Sequence, residues 1–393
     1  MKMKPVVIAV AAIALVVQWP AWKYERADEK LGQFYSQMES ASFVAARESI
    51  DEALKLWPSN ARYHGWRAYW DSQQLPSQCT RTIQMKTAPL SSVDQQSAQE
   101  AIAEYRSALA LNGHDAVVYQ NLGWLEHLLD DDRRAGDDWR QSTQIDPDNA
   151  VFHVSYGMFL QEDGNIDAAE SEYEIAIELS PSMLDSQFFV RYRNRFPDRA
   201  VELLNRCIAK IELRLRLGDD PILDARLGKM YFYQGNLSRA QELLEAAASQ
   251  LPNLPLVWFN LGEIHDIQGE TAVAVDCYSK AKTLDSSLAI PYLKMGKIEL
   301  RTGRTSDAAR DLQIALNKWQ RMNPISAAHN NRLYGGPRQT IDDLLPTTLV
   351  WFASPCEASG AWEGLSQIFP ERKEYALRSH TCEQIPSPHG FLD

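Results

Sequence analysis

The chain of 393 residues lacks the short motifs that place catalytic groups. It contains no His-Glu-x-x-His segment, no phosphate-binding glycine loop and no Gly-x-Ser-x-Gly segment around a nucleophilic serine. Its short acidic runs are typical of solvated turns and helix starts rather than of paired catalytic carboxylates. The sequence therefore predicts that the protein is not an enzyme, and we expect no catalytic residue and no cofactor.

The chain also has fewer positively charged residues than negatively charged ones. Lysine and arginine number 40 against 52 aspartates and glutamates, which gives a formal net charge of −12. The sequence pI is near 5.2. Because a nucleic-acid surface needs clustered positive charge, this balance argues against a nucleic-acid partner and favours solubility.

Glycine is sparse but regularly placed. Gly228, Gly262 and Gly296 recur every 34 residues, and Gly123 and Gly157 are separated by the same interval. Other residues keep a fixed distance from each glycine: a small residue twelve positions later, a large apolar or aromatic residue at sixteen and a small residue again at nineteen. These are Ala135, Ala169, Ala240, Ala274 and Ala308; then Trp139, Tyr173, Leu244, Tyr278 and Leu312; then Ser142, Ala176, Ala247, Ala281 and Ala315.

Alternating small and large side chains are what closely packed helices require. The 34-residue period and the phased positions resemble the tetratricopeptide repeat family, in which each unit is a pair of antiparallel helices. The resemblance implies an all-α, right-handed superhelical solenoid. We expect a basic leader at 1–4, a membrane anchor or uncleaved signal at 5–22, about eight repeats over 27–322, an irregular insertion at 72–95, a degenerate unit at 184–220 and a capping segment at 323–393.

The N-terminus carries one uninterrupted apolar run, residues 6–17, which follows Lys2 and Lys4. Residues 5–22 would span roughly 27 Å as a helix, close to the lower bound for a bilayer core. A convincing small-x-small cleavage site is missing, which favours an uncleaved anchor over a cleaved signal or a buried soluble helix. We expect a single pass through a bacterial inner membrane, with the repeats facing the periplasm because a four-residue leader is easily left in the cytoplasm.

The repeat resemblance also implies a binding surface, since in that family the first helices line a concave groove that receives a peptide. Aromatic rings beside lysine and arginine could hold an acidic or carboxylate-bearing segment of a protein partner. The alternative is that the same positions carry ordinary family residues facing water. The positions in question are Asn121, Lys229, Phe232, Tyr233, Phe259, Asn260, Glu263, Asp266, Leu293, Lys297 and Arg301.

The five cysteines fall into three groups. Cys207 and Cys277 lie in second helices, where a small buried residue is expected. Cys79 lies in the insertion. Cys356 and Cys382 lie outside the repeats and could form a disulfide in an oxidising compartment, although spacing alone does not establish their reach. Histidines near Cys382 do not supply the paired short spacings of a structural zinc site, so no metal is expected.

Residues 4–70 carry a second, looser resemblance. An apolar segment that runs into 24–29, followed by an alanine-rich helix and the segment 56–63, looks like the passage from membrane to periplasmic repeats in bacterial O-antigen polymerase and ligase-type proteins. The other membrane helices of those enzymes are absent here. The resemblance implies an accessory scaffold for polysaccharide assembly or export. The alternatives are a scaffold for secretion or pilus assembly, or a non-catalytic glycan-binding subunit of a membrane enzyme complex.

Overall fold

A computed structural model describes residues 22–37, 42–73, 90–185, 187–286, 288–320 and 363–371. Regular secondary structure in these residues is helical throughout, which confirms the predicted all-α class. The predicted anchor at 5–22 lies outside the described residues except for Trp22, which begins the first helix. Among the described helices, none combines the length and the apolar sequence needed to cross a membrane.

The helices follow one another along the chain with short connections. They are α1 (residues 22–37), α2 (Phe43–Leu56), α3 (Ala61–Gln73), α4 (Ser92–Leu111), α5 (Ala116–Leu128), α6 (Asp132–Ile145), α7 (Ala150–Glu162), α8 (Ile166–Leu179), α9 (Gln187–Arg195), α10 (Pro197–Leu215), α11 (Pro221–Gln234), α12 (Leu237–Gln250), α13 (Pro255–Ile267), α14 (Thr271–Leu284), α15 (Ile290–Arg301), α16 (Thr305–Gln320) and α17 (residues 363–368). A short 3₁₀ helix, Pro181–Asp185, precedes α9.

Odd-numbered and even-numbered helices pack as pairs, and each pair packs on the next. The extensive contacts are α3 with α4, α5 with α6, α7 with α8, α11 with α12, α13 with α14 and α15 with α16. Smaller contacts join the second helix of one pair to the first helix of the following pair, as α12 does with α13. The described chain is therefore a stack of helix pairs, as a solenoid requires.

The repeat glycines lie where the two helices of a pair approach most closely. A Cβ atom added to Gly262 would lie 2.6 Å from Cε1 of Tyr278, and one added to Gly228 would lie 2.8 Å from Cγ of Leu244. The same relation joins Gly157 to Tyr173. This confirms the predicted coupling between each glycine and the large residue sixteen positions later, and it means that an alanine there would force the facing side chain to shift.

Local capping fixes where the second helices begin. The Asn165 side chain accepts a hydrogen bond from the backbone N–H of Ala168, and Asn236 does the same for Arg239. Just before Asn236, Gly235 has φ of 88°, a left-handed conformation that glycine adopts without steric cost. A left-handed glycine followed by a capping asparagine therefore makes the tight turn between α11 and α12.

The insertion is shorter than the sequence predicted. Helix α3 continues to Gln73 and α4 begins at Ser92, whose preceding residue Ser91 caps it by accepting from the backbone N–H of Asp94. Both ends of the predicted loop at 72–95 are thus helical, because the serine cap and the alanine-rich sequence after it support helix from 92 onward. Residues 74–89 lie outside the described part of the chain.

The degenerate unit at 184–220 keeps its helix pair but in altered proportions. Its first helix, α9, has 9 residues and its second, α10, has 19. Helix α10 contacts the second helix of the preceding pair, α8, through ion pairs. Arg206 contacts Glu170 at 3.1 Å and Glu174 at 3.0 Å, Lys210 contacts Glu178 at 3.0 Å, and Arg199 contacts Glu170. A ladder of opposite charges therefore joins consecutive second helices where the first helix is short.

Part of the C-terminal segment lies against the last repeat. Leu365 of α17 is buried among Leu312, Ala315 and Leu316. A Cβ atom added to Gly364 would lie 2.7 Å from Cδ1 of Leu312, so the α17 backbone touches the last pair as closely as repeat glycines touch their own partners. Residues of α17 within the predicted capping segment at 323–393 therefore pack on apolar residues of the last described pair, and the capping role of the segment as a whole stays a prediction.

We predict that Gly262→Ala lowers the free energy of unfolding by about 1–3 kcal/mol, because the added methyl group overlaps a ring in a packed interface. Gly32→Ala is the matched control. Gly32 lies within α1 and an added Cβ meets nothing within 4 Å, so alanine there should stabilise the helix by up to about 1 kcal/mol. Urea unfolding followed by circular dichroism measures both. Equal effects of the two substitutions would contradict the close-approach account.

Candidate functional site

The predicted groove residues lie mainly on α11, α13 and α15, the first helices of the last three pairs. Lys229, Glu263 and Lys297 each follow a repeat glycine directly, so they occupy the same step on successive first helices. Three of the other predicted residues, Phe232, Asp266 and Arg301, lie further along the same helices. The structure therefore brings most of the predicted set onto neighbouring elements.

A chain of buried charges links these helices. Lys229 donates a hydrogen bond from Nζ to Oε2 of Glu263 at 2.7 Å, and Nζ of Lys294 lies 2.9 Å from Oε1 of the same carboxylate. Lys229 is 6% exposed and Glu263 is 7% exposed. Burial alone would raise the pKa of Glu263, but the two ammonium groups lower it to about 2. We call Lys229, Glu263 and Lys294 the lysine–glutamate ladder.

The predicted aromatic residues surround the first lysine of this ladder. Nζ of Lys229 lies 4.7 Å from the Phe232 ring centroid, 4.9 Å from that of Tyr233 and 6.0 Å from that of Phe259. All three rings are buried. The expected neighbourhood of rings and lysine is present, but the lysine already makes the cation–π contacts that a partner was expected to make. These residues join repeats rather than line an open groove.

The two predicted asparagines are buried as well. Asn121 is 0% exposed and its Nδ2 donates to the hydroxyl of Tyr105, on the preceding pair, at 3.1 Å. Asn260 is 3% exposed. An amide so enclosed is not positioned to grip the backbone of an incoming peptide. Both asparagines therefore lie inside the stack rather than on an open groove, and the contact of Asn121 with Tyr105 shows that the second helix of the preceding pair encloses it.

One face of α15 remains accessible. Leu293, Lys297 and Arg301 are spaced four residues apart and share that face. Leu293 is half-buried, Lys297 is exposed, and the Arg301 side chain is 60% exposed while its guanidinium contacts the carboxylate of Asp266. Although Lys297 as a residue is exposed, neighbouring groups partly desolvate its ammonium group, and this desolvation lowers its pKa. The charges of Lys294 and Arg301 act in the same direction, against the opposing effect of Glu363 on α17. We call these three residues the α15 face.

Sequence reasoning missed two members of this region, Lys294 and Glu363. Lys294 lies two residues before a repeat glycine. The family resemblance did not indicate a binding residue at that repeat position. The sequence did contain a signal for the lysine–glutamate ladder, because Lys229 and Glu263 have opposite charges and are separated by 34 residues, one repeat period. Glu363 lies beyond the periodic sequence, where no phase could place it.

The structure adds little to the remaining site predictions. Within the described residues there is no group of three histidine, cysteine or acidic side chains arranged to hold a metal ion. Cys207 and Cys277 are buried free thiols, and burial raises the pKa of both. Cys356 and Cys382, the predicted disulfide pair, lie outside the described residues.

We predict that Glu263→Gln lowers the free energy of unfolding at pH 7 by about 3–5 kcal/mol, because it leaves Lys229 buried without its counter-charge. Since the pKa of Glu263 falls from an ordinary 4.5 to about 2 on folding, its stabilisation is complete above pH 4.5 and is lost as the pH falls toward 2. The difference in the free energy of unfolding between wild type and variant should therefore become smaller at acidic pH.

The double variant Lys229→Met with Glu263→Met is the control for this prediction, because it removes both buried charges and keeps the volume. It should recover most of the lost stability at pH 7. Urea titrations at pH 7 and pH 3 test the set. If Glu263→Gln costs nothing at pH 7, the ladder does not hold the first helices together.

Comparison with known proteins supports the repeat assignment. Residues 226–289, which cover most of α11 to α14, match a family model described as a tetratricopeptide repeat. The search of curated proteins found no match. Solved structures similar to the chain include a tetratricopeptide repeat protein from Parabacteroides merdae, at 16% identity over 79% of this chain and 100% of that one, with a TM-score of 0.37. Another is pilF of Pseudomonas aeruginosa, at 13% identity over 70% and 97%, with a TM-score of 0.33.

The family match and the helix pairs agree in phase. The matched segment contains Gly228 and Gly262 together with the large side chains that pack on them, Leu244 and Tyr278. Gly123, Gly157 and Gly296 make the same contacts outside the matched segment. Residues 226–289 therefore match the tetratricopeptide repeat model, and the glycine contact found within them recurs at Gly123, Gly157 and Gly296.

Proposed function

We propose that this protein is a non-catalytic scaffold that binds an acidic segment of a protein partner on the α15 face. The supporting observation is the charge of that face: Lys297 and Arg301 are the exposed cationic members of the predicted groove set, and Leu293 lies beside them. Tetratricopeptide repeats suggest a protein-binding scaffold, and charged side chains that remain solvated at one end of a stack are available for capture.

The neighbouring charges explain why binding is assigned to this end. Lys229 is neutralised by Glu263 and enclosed by three rings, so it has little to offer a partner. Lys294 contacts the same glutamate. The residue of α15 at the repeat position of Lys229 and Glu263 is Lys297, which is exposed. A carboxylate-bearing segment would pair with Lys297 and Arg301 while its apolar part lies on Leu293.

We further propose that the scaffold is held at the bacterial inner membrane by residues 5–22, with its repeats in the periplasm. The uninterrupted apolar sequence of residues 6–17 supports this. Residues 22–37 are helical, and Trp22 and Tyr24 in that helix are 52% and 43% exposed. Exposed indole and phenol groups beside an apolar segment suit a membrane interface.

At that location the protein would serve as an accessory scaffold for polysaccharide assembly or export, as the resemblance of residues 4–70 suggests. A scaffold for secretion or pilus assembly is the second candidate, and a glycan-binding subunit is the third. These candidates differ in the molecule captured: a glycosyl-transfer or export protein, a secretion component, or a saccharide. Affinity capture from detergent-solubilised membranes with identification of the partner by mass separates them.

We predict that the triple variant Leu293→Ala, Lys297→Ala and Arg301→Ala lowers partner capture by about tenfold or more, because it removes the exposed charges and the apolar contact together. The matched control replaces an aliphatic residue, a lysine and an arginine elsewhere: Val44→Ala, Lys55→Ala and Arg133→Ala, all exposed. The control should capture as the wild type does. Quantitative mass spectrometry of the full-length baits measures both, and undiminished capture by the α15 variant would rule out this face.

We predict that the full-length protein stays in the membrane fraction through an alkaline carbonate wash. The variant Ala11→Arg with Leu15→Arg should move to the supernatant, since each arginine near the centre of a membrane helix costs about 3 kcal/mol on insertion. Ala11→Leu with Leu15→Ala is the control and should remain membrane-bound. Release of the wild type by carbonate, or a mature mass that lacks the first residues, would contradict the uncleaved anchor.

A further inference from the structure

Helix α17 lies on the last described pair although it is distant from that pair in sequence. Residues 321–362 separate α16 from α17, whereas only residues 302–304 separate α15 from α16. The short turn therefore places α15 beside α16, but chain connectivity alone does not place α17 on them. The position of α17 depends on the contacts of its own residues.

One short apolar segment of α17 makes these contacts. Leu365 is 1% exposed and lies in a cluster with Ala289, which precedes α15, and with Leu312, Ala315 and Leu316 of α16. We call these four residues of the last pair the α17 seat. Because a helix as short as α17 is marginal on its own in water, its helical conformation depends on its contact with the seat.

The seat is the place where a further first helix would pack. Within the stack, the residue at the repeat position of Leu312 contacts the next first helix, as the hydroxyl of Tyr105 does with Asn121 of α5. On the last pair, Leu312 lies beside Gly364 of α17 instead. A complete first helix such as α13 has 13 residues and is longer than α17. Three apolar residues beside the seat remain partly exposed: Tyr292, Leu293 and Ala309.

Helix α17 also brings a negative charge to the cations of the α15 face. Glu363 is exposed at the start of α17. Desolvation lowers the pKa of Lys297, and the negative charge of Glu363 opposes that change. Leu293 of the α15 face packs against the same cluster that contains Leu365. An acidic residue and an apolar residue of α17 thus lie beside Lys297 and Leu293, which is the combination that the α15 face is proposed to bind.

We propose that the α17 seat is a binding surface for a helix of the protein partner, and that α17 is the internal competitor of that helix. The partner helix carries the pattern of α17, an acidic residue followed by a small residue and a leucine, and it displaces α17 when it lays its apolar side on the seat. This inference rests on the proposed function, because it extends the α15 face onto the neighbouring surface.

The fraction of time that α17 occupies the seat determines how strongly it competes. A segment tethered to its own site has an effective concentration on the order of 1 mM. With α17 seated about nine-tenths of the time, the same segment as a free peptide binds a vacant seat with a Kd on the order of 0.1 mM, and release of α17 strengthens peptide binding about tenfold.

The test titrates the full-length protein against a fluorescein-labelled synthetic peptide of residues 361–371 and follows the fluorescence anisotropy of the peptide. Leu365→Asp in the protein removes the buried contact of α17 and frees the seat, so this variant should bind the peptide about tenfold or more tightly than the wild type does. A peptide that itself carries Leu365→Asp should bind neither protein.

Glu363→Lys in the protein is a second variant, because it changes an exposed residue and leaves the apolar packing of α17 intact. It replaces attraction to Lys297 by repulsion, so peptide binding should strengthen, by less than for Leu365→Asp. Glu371→Lys is the matched control, with the same change of charge at an exposed residue of the same segment. The control should bind the peptide as the wild type does.

Equal peptide affinity of the wild type, Leu365→Asp and Glu363→Lys proteins would overturn the proposal. A lower unfolding temperature of Leu365→Asp would then identify α17 as a fixed structural cap. A wild-type dimer that becomes a monomer in Leu365→Asp, as measured by light scattering, would also overturn the proposal, because a second copy of the chain would then supply α17.

Partner capture separates this proposal from that of the α15 face. Leu365→Asp should raise capture from solubilised membranes, and addition of the α15 triple variant should abolish that gain. If the triple variant lowers capture while Leu365→Asp leaves it unchanged, the α15 face stands and the displacement of α17 fails. If Leu365→Asp raises capture and peptide binding while the triple variant captures normally, the partner binds the seat and the α15 face fails.

Discussion

The close packing of five of the helix pairs depends on a glycine, which has no Cβ atom, in the first helix of the pair. At Gly228, Gly262 and Gly296 the first helix lies so close to its partner that a methyl group would overlap the side chain sixteen residues later. This contact sets the separation of the two helices, and the 34-residue period repeats it. Equivalent residues of successive first helices are consequently brought into register, and on α11 and α13 two of them, Lys229 and Glu263, contact each other.

That register determines which charges are available for binding. Lys229 and Glu263 occupy equivalent repeat positions on neighbouring helices, so their side chains form an ion pair. The pair is buried, where an unpaired charge would be costly. Buried ion pairs of this kind stabilise the stack, and other molecules cannot reach them. Lys297 occupies the equivalent position on α15, the first helix of the last pair within the described residues, and it remains exposed. The end of the stack is thus the place where the repeating charge pattern meets solvent.

The sequence predicted well those features that depend on spacing within one repeat. The glycine, the large residue that packs on it and the helix pairs all follow from local periodicity. Burial of Lys229, Asn121 and Asn260 did not follow, because it depends on how closely successive pairs approach, and that distance is not encoded in any one unit. The same limit applies to α10. Its basic residues form ion pairs with glutamates of α8. This pairing between repeat units cannot be read from the net charge of the chain.

A repeat protein also contains its own set of comparisons, since equivalent positions share a backbone and differ in side chain. Glu126 with Asp138 and Glu299 with Asp311 show what this allows: one backbone arrangement presents the same two acids twice, once with an arginine across them and once with a serine at the arginine position. The common geometry means that the difference between the two junctions lies in side-chain chemistry. Among the described residues, Oε2 of Glu126 has no donor even with Arg106 in place, and Asp311 has Lys282 and Arg310 beside it, so the two junctions offset the cost of burying their acids with different cations.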